Sequence, residues 1–234
     1  MSYPQHLREV FRGELERWIA RSLPFVVRRS LRRGLHAVWA RGMWETLPAG
    51  GAVLAANHHS WWDAYLAWLV QQRLGREVSG MMREAQLETF PFFRRLGVIS
   101  DREVREALRR LSRGHLLFIF PEGALKQTSE VGTLQRGAAF LAQRAEVPIF
   151  PLAIRVVMRG AQQPEAVLSL GEKLEPDSSE LLERVGLELN RLLSDIDHDV
   201  ATARPEEPLT DYTPWLTGRR SFNERVSRLK DFWT

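Results

Sequence analysis

Short apolar runs take turns with stretches of helical period through most of this chain, and that alternation constrains its fold more than any other property. Runs at 52–56, 98–100, 116–120, 149–157 and 167–170 have the length and character of strands. Between them, 60–72, 103–112 and 134–144 carry apolar residues at steps of three and four, as helices do. The alternation predicts an α/β fold with a mostly parallel sheet covered by helices. Asp177-Ser178-Ser179-Glu180 has a capping-box pattern and predicts a further helix, with Leu181, Leu182, Val185, Leu189, Leu192, Leu193 and Ile196 inward.

The flanks read differently. From Leu7 to Trp39 apolar residues recur at helical spacing, interrupted by Pro24, with arginines on the other face. Residues 1–44 hold nine arginines and three glutamates, a net charge of +6, against −2 over the remaining residues. They are expected to form an amphipathic helical segment, suited either to a membrane surface or to the protein's own core. The charge asymmetry favours the membrane, and no recognition motif supports nucleic acid as a partner. Residues 45–200 are expected to form the α/β domain. Residues 201–234 read as a proline-containing linker and a last amphipathic helix through Phe222, Val226, Leu229, Phe232 and Trp233. No run of about 18 apolar residues predicts a transmembrane span, and no signal peptide is expected. The chain has no cysteine, which excludes disulfides, thiolate metal ligands and a thiol nucleophile.

The first strand candidate runs into Asn57-His58-His59-Ser60-Trp61-Trp62-Asp63. On one regular helix His58 and Asp63 would diverge by roughly 140°. They meet only if His58 lies on the loop and Asp63 in the following helix. A carboxylate fixing an imidazole tautomer is a common way to build a general base. Ser60-Trp61-Trp62-Asp63 is also a capping-box pattern, and a capping network would hold such a pair rigid. In open α/β sheets ligands bind beyond the carboxyl ends of the strands. Pro121-Glu122-Gly123 follows another strand candidate, so parallel strands would bring Glu122 near His58, with Arg102, Lys126 and Arg155 able to reach the same edge.

Four blocks of sequence resemble the glycerolipid acyltransferase family, whose best-known members are the lysophosphatidic acid acyltransferases. The N-H-x-S-x-x-D block is matched by Asn57, His58, Ser60 and Asp63. Leu96-Gly97-Val98-Ile99-Ser100-Asp101-Arg102 is similar to the second block, Phe120-Pro121-Glu122-Gly123-Ala124-Leu125-Lys126 to F-P-E-G-T-R-S, and Val147-Pro148-Ile149-Phe150-Pro151-Leu152 to V-P-I-x-P-V. The resemblance implies an O-acyltransferase acting on a lyso-glycerolipid such as 1-acylglycerol-3-phosphate. The co-substrate would be acyl-CoA or an acyl carrier protein, with no cofactor and no metal. It implies His58 as general base, Asp63 as its orienting partner, Asn57 and Ser60 as supports, Arg102 for the acceptor phosphate, and Glu122, Gly123 and Lys126 around the acceptor. Amides at the start of the helix after His58 are the candidate oxyanion donors. The implied location is peripheral, on the cytoplasmic face of a membrane.

Ala124 and Leu125 depart from the family's Thr and Arg. A lost guanidinium removes a charge-assisted contact of about 1.5–3 kcal/mol, which Lys126 does not reproduce as a fork. An acceptor without phosphate, such as a glycolipid, and an inactive lipid-binding relative are the alternatives. A Ser-His-Asp hydrolase lacks its G-x-S-x-G signature, and a metal site on His58, His59 and Asp63 lacks H-E-x-x-H spacing.

Overall fold

A computed structural model describes residues 21–126, 128–205, 207–220 and 222. A helix over 21–34 (α1) precedes β1 (Ala37–Arg41), β2 (Ala52–Ala56), α2 (Asp63–Leu74), β3 (Val78–Met82) and α3 (Glu84–Thr89). Then follow β4 (Ile99–Ser100), α4 (Val104–Ser112), β5 (Leu116–Ile119), α5 (Gly137–Ala145), β6 (Ile149–Val157), β7 (Glu165–Leu170), α6 (Leu181–Thr202) and β8 (Thr213–Thr217). One eight-stranded sheet has the order β4-β3-β5-β2-β6-β7-β1-β8. Pairing is parallel from β4 to β6 and between β1 and β7; β6–β7 and β1–β8 are antiparallel. The α/β class with a mostly parallel, helix-covered sheet is therefore what the chain adopts.

The strands read as unbroken apolar runs because helices cover both faces of the sheet. Every residue of β2 and β5 is buried. Leu54, Phe118 and Phe150 pack with α1 and α2 on one face; Val53, Leu117 and Ile149 pack with α4, α5 and α6 on the other. Pro151 sits inside the sheet without breaking it. Its carbonyl accepts from Gly171 N–H on the β7 side, where the β6–β7 ladder has already ended at Leu152 and Leu170, so the missing N–H also faces a place with no ladder partner.

Both flanks depart from expectation. Residues 37–41 are not helical: they form β1, deep in the sheet between β7 and β8. Val38 and Trp39 continue the helical spacing by coincidence, and tertiary pairing decides their state. Within α1, Val27 and Leu31 pack on the protein's own core, joined by Leu35 just beyond, while Phe25 and Val26 stay exposed. Residues 213–217, read as linker, form edge strand β8, with Pro214 at an edge where proline is tolerated. The sheet therefore draws on both segments flanking 45–200. Residues 1–20 and, apart from Phe222, the expected C-terminal helix lie outside the described residues. No helix among the described residues is long and apolar enough to cross a membrane.

Candidate active site

The parallel strands β4, β3, β5, β2 and β6 all end on one edge of the sheet, and the loops leaving that edge converge. Asn57, the first residue past β2, is buried, and its side-chain amide pairs with the backbone of Ile154 on β6 (2.7 and 3.0 Å). That two-way bond fixes where the chain turns away from the sheet. His58 and Asp63 then meet as their spacing required, His58 on the loop and Asp63 as the first residue of α2. His58 Nδ1 lies 2.8 Å from Asp63 Oδ2.

Asp63 is wholly buried, which is tolerable because its carboxylate is saturated with donors. Oδ2 also accepts from the amides of His59 (2.7 Å) and Ser60 (2.9 Å), and Oδ1 accepts from Ser60 Oγ (3.1 Å). Ser60 Oγ in turn accepts from Trp62 N–H at 3.1 Å. Half of a capping box is thus present, built around the same carboxylate that holds His58. This network narrows one expectation. The amides of His59, Ser60 and Trp62 are taken up internally and are not free to meet an oxyanion. Ser60 Oγ faces Asp63 and not His58, and among the described residues no hydroxyl hydrogen-bonds the imidazole.

A carboxylate acceptor at Nδ1 assigns the proton there and leaves Nε2 as the basic nitrogen. His58 Nε2 makes no hydrogen bond among the described residues, and the side chain is 28% exposed. The ring stacks on Phe120 with centroids 4.4 Å apart, so a flat apolar platform adds to the carboxylate's control of its orientation.

The second loop locks onto the first. Glu122 Oε2 accepts His58 N–H (3.1 Å), Oε1 accepts Gly132 N–H (3.3 Å), and Lys126 N–H donates to His58 O (2.8 Å). Lys126 Nζ is 3.9 Å from Glu122 Oε1, so this cation lies against a carboxylate. Gly123 adopts φ +65°, where an added Cβ would lie 2.2 Å from Gln135 Nε2. Its carbonyl accepts from Arg83 Nη2 at 2.6 Å. Arg102 follows β4 on the same edge, exposed, and its guanidinium has no partner among the described residues.

Arg155 does not serve the cleft. Its buried guanidinium pairs with Asp197 on α6 (2.8 and 2.9 Å) and donates to the carbonyls of Thr128 and Ser129. It braces the loop after Glu122. His59 points elsewhere too: its Nδ1 is buried without a partner among the described residues, and burial, then the charge of Arg155, holds its pKa below the ordinary histidine value. Among the described residues no group of three histidine or acidic side chains is placed to hold a metal. Sequence reasoning missed Phe120 as the platform and Arg83 as a neighbour of Gly123. Phe120 was visible as the apolar residue opening Phe120-Pro121-Glu122-Gly123; Arg83 carried no signal because β3 was not recognised.

Comparison with known proteins accords with this geometry. The family model described as Acyltransferase matches residues 42–155, a span that holds every residue of both loops. No curated protein matches the chain. Among solved structures, the 1-acyl-sn-glycerophosphate (LPA) acyltransferase PlsC from Thermotoga maritima is similar in fold, with a TM-score of 0.59 at 19% identity, covering 80% of this chain and 83% of that one.

Proposed function

We propose that this chain, whose residues 42–155 match the Acyltransferase family model, moves a fatty acyl group from a thioester to a hydroxyl of a lyso-glycerolipid at a membrane surface. The observation that carries the reading is the 2.8 Å contact of His58 Nδ1 with a fully buried Asp63. Asp63 holds the Nδ1–H tautomer, so Nε2 can take the proton of the acceptor hydroxyl as its oxygen attacks the thioester carbonyl carbon. The new C–O bond forms, the C–S bond breaks, and the imidazolium returns its proton to the departing thiolate. Asp63 stabilises the imidazolium between those two transfers. The donor is acyl-CoA or an acyl carrier protein. No acyl-enzyme is required, in keeping with a Ser60 hydroxyl bonded to Asp63. Asn57 and Ser60 hold the loop, while Glu122, Gly123 and Lys126 frame the acceptor side.

Thiol release from a long-chain acyl-CoA with lysophosphatidate tests the proposal. His58→Ala should lose at least about 100-fold in rate; equal turnover by the variant would end it. A second reading, an acceptor without phosphate, is favoured by one observation. Leu125 is 46% exposed where the family carries an arginine.

A further inference from the structure

On the face of the sheet away from α1 and α2, α5 and α6 lie side by side and antiparallel. Gln143, near the end of α5, donates to Ser178 O before α6 (3.2 Å), and Val131 N–H, before α5, donates to Asn190 Oδ1 on α6 (2.8 Å). Between the helices runs a groove of about 810 Å³, lined in part by Leu134, Ala139 and Leu182. Its margins hold what a folded chain normally hides. Phe140 on α5 is 51% exposed, and Leu187 on α6 is 65% exposed. Gly186 lies inside α6, where glycine costs helix stability. A Cβ there would find its nearest neighbour outside the helix backbone in Leu134 Cδ1, at an ordinary 3.5 Å, so the packing of one chain does not demand glycine at this position. Arg136 stands on the α5 margin, Glu180 and Glu183 on the α6 margin. None of the three has an ion-pair partner among the described residues, and neither has Arg144, one turn beyond Phe140.

We infer that this face is where two copies of the chain meet, about a two-fold axis parallel to α5 and α6. Such an axis lays α5 of each copy antiparallel over α6 of the other and keeps every residue at its own level along the helices. The two hydrogen bonds set residue 143 level with 178 and 131 level with 190, so Phe140 is level with Leu181 and Leu182. Each Phe140 then enters the other copy's groove between Leu182 and Leu187, over the gap that Gly186 leaves. Arg136 comes within one turn of Glu183 of the second copy, and Arg144 within one turn of Glu180. The basic margin of each copy thus meets the acidic margin of the other, the self-complementary pattern that a two-fold contact requires. An anionic bilayer fits this face poorly, because Glu180 and Glu183 would meet its headgroups. The covered wall also backs the catalytic loop: Gly132 N–H donates to Glu122 Oε1 (3.3 Å) and Gln135 N–H to Pro121 O (2.7 Å).

Sedimentation velocity on the full chain between about 1 and 100 µM tests this, since a contact at the small end of the interface range gives a Kd on the order of micromolar. The unaltered protein should pass from monomer to dimer as its concentration rises. Phe140→Asp should raise the dimer Kd at least about tenfold. Arg136→Glu and Glu183→Arg should each raise it about tenfold, and the chain carrying both exchanges should return to within about threefold of normal. Gly186→Gln, which fills the seat for Phe140, should weaken the dimer while the Tm of the dilute monomer holds or rises, because glutamine favours a helix over glycine. A chain that is still monomeric at about 100 µM would overturn the inference. So would a dimer whose Kd ignores all four substitutions, which would place the contact elsewhere. Charge exchanges that add when combined, and do not cancel, would overturn it as well.

Discussion

One buried carboxylate both folds the loop and prepares the base. Asp63 accepts from two backbone amides, a hydroxyl and an imidazole, so its removal damages structure and chemistry together. Asp63→Asn tests the two separately. The asparagine offers one carbonyl oxygen and places an NH2 against donors. Stability should fall by about 1–3 kcal/mol in urea unfolding, and the rate by about 10²–10⁴-fold, because Nδ1 loses its acceptor. A full-rate variant would show that tautomer control by Asp63 is not needed. His59 gives a pH test. Its pKa is lowered in the folded chain, so below about pH 6.5 the unfolded chain takes up a proton that the folded ring refuses. Stability should therefore fall as pH drops from about 6.5 through the folded value, and be unaffected by this residue well above pH 6.5. Melting profiles between pH 7.5 and 5 should show the normal protein losing Tm faster than His59→Gln; parallel profiles would discard the idea. The pairing of His58 with Asp63 was legible from spacing and neighbouring apolar residues. The amide bonds around Asp63 were not, because they follow from the turn's backbone angles, which residue types alone leave open.

Among the elements, legibility followed burial and local pattern. β2, β5 and β6 announced themselves as apolar runs because helices cover both of their faces. β3 did not: Val78-Ser79-Gly80-Met81-Met82 has neither alternation nor β-branched density, and its pairing with β4 and β5 holds it. β1 was hidden inside an apparent helix and β8 behind Pro214. Those two strands meet α1 at a tight joint. Gly218 N–H donates to His36 O at 2.8 Å, and a Cβ there would lie 1.9 Å from Leu35 O. The opposing atom is backbone and cannot swing aside as a side chain can. Gly218→Ala should therefore cost about 2 kcal/mol, read as a lower urea midpoint with unchanged slope. A midpoint equal to that of the unaltered protein would mean the joint gives freely.

At the scale of the molecule, fold and membrane contact make separable demands on the N-terminal segment. β1 fills the sheet between β7 and β8, so removing residues 1–44 exposes the outer edge of a six-residue strand that is buried throughout. That deletion should destroy cooperative unfolding, and it cannot report on membrane binding. Removing residues 1–20 is the discriminating cut. It takes away Leu7, Val10, Phe11, Leu15, Trp18 and Ile19, together with Arg8, Arg12 and Arg17, whose charges Glu9, Glu14 and Glu16 balance, and leaves the arginines from Arg21 to Arg41 in place and Val27 and Leu31 of α1 on the core. A basic face beside an apolar one binds anionic bilayers by charge and by burial of apolar area, and the charge part weakens with salt. The shortened chain keeps the arginines of 21–41 but not the apolar side chains of 1–20, so it should keep its cooperative melt and co-sediment less with anionic vesicles. Binding by the full chain should decline as salt rises from about 0.05 to 0.5 M, where the screening length shortens severalfold. Undiminished vesicle binding after the cut would show that residues 1–20 do not carry the membrane contact, and that another surface of the folded protein meets the lipid.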